Sequence, residues 1–97
     1  GNWDNTLVMT FSEFGRRVAQ NASRGTDHGT ANNVMLMGGK LKKAGIYNAA
    51  PNLTTLDKGD LIYQVDFRQI YSTILQNWLE ADPSKVLSES FESLKIV

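Results

Sequence analysis

Glu13, Asp27 and His28 are the side chains of this sequence best suited to hold a cation. His28 is the only histidine; it stands beside a carboxylate and between glycines, in Gly25-Thr26-Asp27-His28-Gly29-Thr30. An imidazole next to a carboxylate can bind a divalent metal, and small neighbours leave room for a substrate. Glu13 lies in Ser12-Glu13-Phe14-Gly15-Arg16, at the carboxyl end of an apolar run, where open α/β sheets gather their ligands. There it could serve as a metal ligand or a general base. Arg16, Arg17 and Arg24 form a third group, whose forked guanidinium groups suit an oxyanion such as phosphate or sulfate. Each group also has an ordinary reading: Glu13 as a loop carboxylate, free or paired with Arg16 or Arg17, Asp27 as a turn cap, and the arginines as solvated side chains. A metal site needs three or four protein ligands, so these residues supply part of one. Neither a G-x-S-x-G elbow nor a Gly-rich phosphate loop occurs, so no activated nucleophile is expected.

The elements that must position these groups are short. Thr6 to Phe11 is an apolar, β-branched run without alternation, which predicts a strand buried on both faces. It starts so early that its sheet neighbours are expected to come from elsewhere. Residues 15–33 are rich in Gly, Asn, Ser, Thr and Arg with no sustained period, and read as a long functional loop. Val34 to Met37 predicts a second short buried strand ended by Gly38-Gly39. Leu41 to Leu56 reads as a hairpin or irregular connection, with Leu61 to Gln64 as a short extended lead-in. From Asp66 to Leu79, apolar residues recur at helical spacing: Phe67, Ile70, Tyr71, Ile74, Leu75, Trp78 and Leu79. Asp66 and Gln69 have capping-box spacing, and Pro83 is placed to open a second short helix through Leu87. Phe91 to Val97 is expected to close the chain as a last strand. The order is α/β in character, yet two strands and one good helix close no comfortable core. An apolar sheet edge of this kind invites pairing with another chain.

Length and charge narrow the function. Ninety-seven residues make one small domain at most. Ten basic and ten acidic residues cancel, which argues against a nucleic-acid partner. Residues 1–50 carry six Lys and Arg against three Asp and Glu, and residues 51–97 four against seven. The basic first half suits an anionic ligand, and ordinary scatter of solvated charge explains the asymmetry as well. The absence of cysteine excludes disulfides and thiolate chemistry. No apolar run approaches the ~20 residues of a membrane span. Arg16-Arg17 lacks the apolar segment that a twin-arginine export signal requires.

The run TLVMTFSEFGRRVAQNASRGTDHGTANNVMLMGG, followed by VDFRQIYSTILQNWL, resembles a bacterial family known as domain of unknown function fifteen-oh-one. The resemblance covers most of the chain, and SEFGRR and GTDHGTAN are long enough to be specific. It implies a sulfatase-like protein of the alkaline phosphatase superfamily, exported to the periplasm, in which a doubly covered sheet holds divalent metal (Zn, Mn or Ca) beside a nucleophile. Full members are several times longer, with these motifs near their C-terminal end. The expected fold is therefore α/β, the C-terminal portion of an alkaline-phosphatase/sulfatase-like sheet with its flanking helix, incomplete as a stand-alone domain over residues 1–97. The expected partners are the missing N-terminal part of the same polypeptide or, through an exposed sheet edge, a second copy.

Two alignments with the superfamily pattern are open. Asp27-His28-Gly29 matches its Asp-His-Gly metal motif, but no buried strand precedes it. Strand order favours the alternative, in which Ser12-Glu13-Phe14-Gly15 stands where the superfamily has Ser-Asp-His-Gly or Ser-Asp-Asn-Gly, and His28 matches a later metal-binding histidine. Glu13 then keeps an oxygen ligand, while Phe14 replaces a ligand with a side chain that cannot bind metal. That departure implies a weakened or lost metal position.

Overall fold

Asp66 starts the main helix as its spacing predicts. In a computed structural model describing all of residues 1–97, helix α1 spans Phe67–Thr73. The Asp66 carboxylate accepts the Arg68 backbone N–H at 2.9 Å, and the Gln69 side chain accepts the Asp66 N–H at 3.0 Å. Two orphan donors of the first turn are thereby satisfied. Past Thr73 the helix widens into a π-type stretch, Ile74–Trp78, closed by the Leu79 N–H bonding to the Ile74 carbonyl. The widening amounts to little more than one turn, too short to announce itself in the apolar spacing of the sequence. Helix α2, Pro83–Leu87, has Pro83 in its first turn and Asp82 as its cap, and Ser88 ends it in the left-handed region at φ 63°.

Six short strands form three separate antiparallel ladders: β1 (Leu7–Met9) with β4 (Leu36–Gly38), β2 (Gly15–Gln20) with β3 (Thr26–Gly29), and β5 (Leu56–Asp57) with β6 (Asp60–Leu61). The mixture of small sheets and helices is α/β. Three expectations need correction. Residues 15–33 are no featureless loop, because β2 and β3 pair there as a hairpin. Its turn is built by Asn21, whose side-chain oxygen accepts the N–H groups of Ser23 and Gly25 at 3.0 and 2.9 Å, with Arg24 in the left-handed region. The strands lack alternation because most of the hairpin is exposed on both faces. Second, Phe91 to Val97 form no strand. Helix side chains take up the backbone of this tail: Thr73 accepts the Leu94 N–H at 2.8 Å, and Asn77 donates to the Val97 carbonyl at 3.1 Å.

The third correction concerns burial. The strand expected from Thr6 to Phe11 is only Leu7–Met9, and Val8 is 42% exposed. No hydrophobic residue of the chain is buried; among polar side chains, Ser72 and Thr73 are. The accessible surface of 7514 Å² is about 2,000 Å² more than the roughly 5,500 Å² expected of a folded monomer of 10.8 kDa. The radius of gyration, 15.7 Å, likewise exceeds the ~13 Å typical of a domain this long. The apolar residues are patterned for burial that this chain does not supply.

Candidate functional site

Hairpin β2–β3 gathers the charged residues singled out in the sequence. Its register sets Gly15 opposite Gly29 and Arg16 opposite His28. Glycine is needed at Gly15 because a Cβ there would overlap the backbone carbonyl of Ala31, so the strand is pressed beneath the segment leaving the hairpin. Directly opposed residues share a face, and Phe14, two residues before Arg16, joins them on it. The Phe14 and His28 rings stack with centroids 3.6 Å apart and planes 9° from parallel. The Arg16 guanidinium stands 5.3 Å from the Phe14 ring centre and donates to the Thr26 carbonyl at 2.9 Å. Cation, phenyl and imidazole thus form a layered, exposed ledge.

The remaining candidates go elsewhere. Asp27, next to His28 along β3, projects to the other face and accepts a hydrogen bond from the Asn21 amide at 3.2 Å. Glu13 is exposed on the bend before Phe14 and takes part in no hydrogen bond or ion pair. Arg17 leaves β2 on the face opposite Arg16. Its Nε lies 3.2 Å from Asp60 Oδ1, and its guanidinium also donates to the Lys58 carbonyl. The Nε–carboxylate contact lacks hydrogen-bond alignment, so Arg17 holds β5–β6 by charge at Asp60 and by hydrogen bond at Lys58. Lys58 and Gly59 both have positive φ, as a tight hairpin turn requires, and a Cβ on Gly59 would strike the Arg17 guanidinium. Arg24 stands exposed at the tip of the β2–β3 turn. The three arginines thus occupy three settings, and Arg17 is already committed to Asp60 and Lys58.

Whether these residues fit a metal is decided by the donor set. The imidazole of His28 is stacked through its flat face, which leaves its in-plane nitrogens free to ligate. Beside it, however, Phe14 offers no donor and Asp27 points away. No group of three or more His, Cys, Asp or Glu side chains comes together anywhere in the chain. Alone, these 97 residues do not fit a metal centre. No helix is long and apolar enough to cross a membrane.

Sequence reasoning did not single out Asp60, the counter-charge of Arg17, or Thr73, the buried link between helix and tail. The Lys58-Gly59 pair signalled the tight turn that presents Asp60. A threonine inside an otherwise apolar helical stripe signalled a buried polar group in need of partners.

Fold and site together define an α/β chain whose glycine-rich hairpin carries an exposed ledge of guanidinium, phenyl and imidazole groups. Residues 1–90 match the family described as Protein of unknown function (DUF1501), and the chain belongs to that family. No curated protein and no solved structure matches it.

Proposed function

We propose that this chain is the C-terminal part of a metal-dependent phosphatase- or sulfatase-like hydrolase, inactive alone, whose remaining ligands and nucleophile come from a preceding part of the same polypeptide. The observation that carries this reading is the Phe14–His28 stack. It brings the imidazole back beside the segment that holds Glu13, although fifteen positions separate the two in sequence. In the intact protein Glu13 and His28 would contribute to the site of a divalent cation (Zn, Mn or Ca), while Asp27, on the opposite face of β3, would steady the Asn21 turn. Arg16 and Arg24 would face the oxyanion of the ester, with Arg17 behind them holding the second hairpin. The metal would polarise a phosphoryl or sulfuryl oxygen. The family resemblance adds an exported, periplasmic location. The large accessible surface supports the dependence on further polypeptide.

The alternative, a non-catalytic binding or structural relative of the same superfamily, is favoured by one feature. Phe14 occupies a ligand position with a hydrocarbon ring and uses it to cover one face of His28.

Metal content and turnover separate the two. A full-length relative bearing these residues should retain metal through purification and cleave aryl phosphates or aryl sulfates. His28→Ala should lower both metal content and turnover by more than tenfold. The 97-residue chain alone should show no turnover. A metal-free, inactive full-length protein would establish the non-catalytic reading, and robust metal-dependent hydrolysis by the short chain would overturn both.

A further inference from the structure

We infer that the open edge of β1 is a self-pairing surface, on which a second copy of this chain adds its own β1 antiparallel about Val8. The inference rests on the strand and stands apart from the hydrolase reading.

Strand β1 pairs with β4 alone. The register runs Leu7 to Gly38, Val8 to Met37 and Met9 to Leu36, and it continues in the Thr10 N–H, which bonds to the Met35 carbonyl at 2.9 Å. Hydrogen-bonded pairs alternate along an antiparallel ladder. With Thr10 bonded toward β4, Val8 is bonded toward β4 too, and the N–H and C=O groups of Leu7 and Met9 point out at the free edge. No side chain and no backbone group outside the ladder bonds to Leu7 or Met9. Unpaired edge groups of this kind are a template for another strand.

The sequence of the strand says which one. Thr6-Leu7-Val8-Met9-Thr10 reads nearly the same in both directions. Antiparallel pairing about a twofold axis at Val8 sets Leu7 against Met9 of the second copy, Val8 against Val8, and Thr6 against Thr10. Each Leu7 then exchanges both its backbone hydrogen bonds with the opposing Met9, which satisfies every free group on the edge. Apolar faces apolar and threonine faces threonine, both favourable cross-strand pairs. Val8 and Met37, each 42% exposed on one face, become part of a continuous apolar stripe across the joined sheet β4-β1-β1-β4. On the other face Met9 borders an open groove of about 260 Å³ walled by Tyr71, Ile74, Leu75, Val86 and Leu87, which lies next to the joined strands. A stable dimer buries roughly 800 Å² per partner, well within the excess surface of about 2,000 Å².

The chain has no cysteine, so single substitutions report the register cleanly. In the inferred dimer the two Val8 Cα atoms lie about 4.5 Å apart and Leu7 lies about 5.5 Å from Met9, both within disulfide reach. Two Leu7 residues are offset along the strands beyond the ~7 Å limit. Under mild oxidation Val8→Cys should give a disulfide dimer, Leu7→Cys alone should not, and a mixture of Leu7→Cys with Met9→Cys should give the mixed dimer. Hydrogen exchange on the unsubstituted chain provides a second readout. Protection of the Leu7 and Met9 amides should rise at least tenfold with protein concentration, while the Val8 amide, bonded toward β4, changes little. A monomer at all concentrations with unprotected Leu7 and Met9 amides overturns the inference. So does Leu7→Cys cross-linking to itself as readily as Val8→Cys.

Discussion

The helical half of the molecule and the hairpin that carries the candidate site are held in different ways. Around α1, side chains bond to backbone. Thr73, fully buried, donates to the Gln69 carbonyl at 2.7 Å and accepts the Leu94 N–H, which ties the tail to the helix. Arg68 forks onto Asp66 at 3.0 and 2.7 Å and lies 4.6 Å from the ring centre of Phe91. The hairpin is tied to the rest of the chain at the surface, by Arg17 to Asp60 and Lys58: its strands are mostly exposed, and Gly15 is its only buried residue. Its shape rests on the Asn21 turn, the Gly15–Ala31 contact and one exposed ring stack. The polar groups singled out in the sequence sit where packing is thinnest.

Substitutions on each side test that contrast. The largest effect is expected from Gly15→Ala, which sets a methyl group against the Ala31 carbonyl and should cost roughly 3 kcal/mol through forced backbone movement. Cross-strand NMR contacts between Arg16 and His28 should vanish while α1 keeps its helical dichroism. Simultaneous loss of the helix would make the two halves one cooperative unit and break the comparison. Next is Thr73→Val, which keeps the shape and orphans the Leu94 N–H, at about 2 kcal/mol. Thermal unfolding should shift downward, and the Leu94 amide should exchange faster while hairpin amides are unaffected.

Asp66→Ala removes the cap and should cost about 1 kcal/mol in helix stability, read by circular dichroism. The same carboxylate sets a pH dependence. Side-chain hydrogen bonds from Arg68, then the Arg68 backbone N–H, hold its pKa below the ordinary value against the opposing effect of burial. A depressed carboxylate stabilises above its unfolded value of about 3.9, and that contribution is lost as the pH falls through the folded value. The first turn of α1 should therefore loosen in acid below about pH 4, and Asp66→Asn should flatten that profile. Screening at this partly exposed pair keeps the effect small. The smallest change is expected for Phe14→Ala, about 0.5 kcal/mol for an exposed ring pair. It should free the imidazole of His28, seen as a changed ring-proton shift, without altering α1.

Legibility in the sequence followed the same division. The Asp66 cap, the Gln69 reply and Pro83 are local signals, because each acts within one turn of its own backbone, and the structure keeps them all. Hairpin β2–β3 was hidden because an exposed ladder needs no alternation of polar and apolar residues. The site was legible as a list of residue types, and the list did not reveal their directions. Arg16 and Arg17 are neighbours in sequence, yet one stacks on Phe14 while the other is drawn to Asp60.

Sequence by itself determined the capped helix, the α/β character, the family and a β1 strand apolar on both faces. Tertiary structure alone decided that His28 lies flat on Phe14, that Asp27 turns away from it, and that β1 keeps an open edge. Local signals act over one turn of chain at the energy of a hydrogen bond or two. Side-chain convergence depends on strand register, and moving the pairing by a single residue sends every side chain to the opposite face.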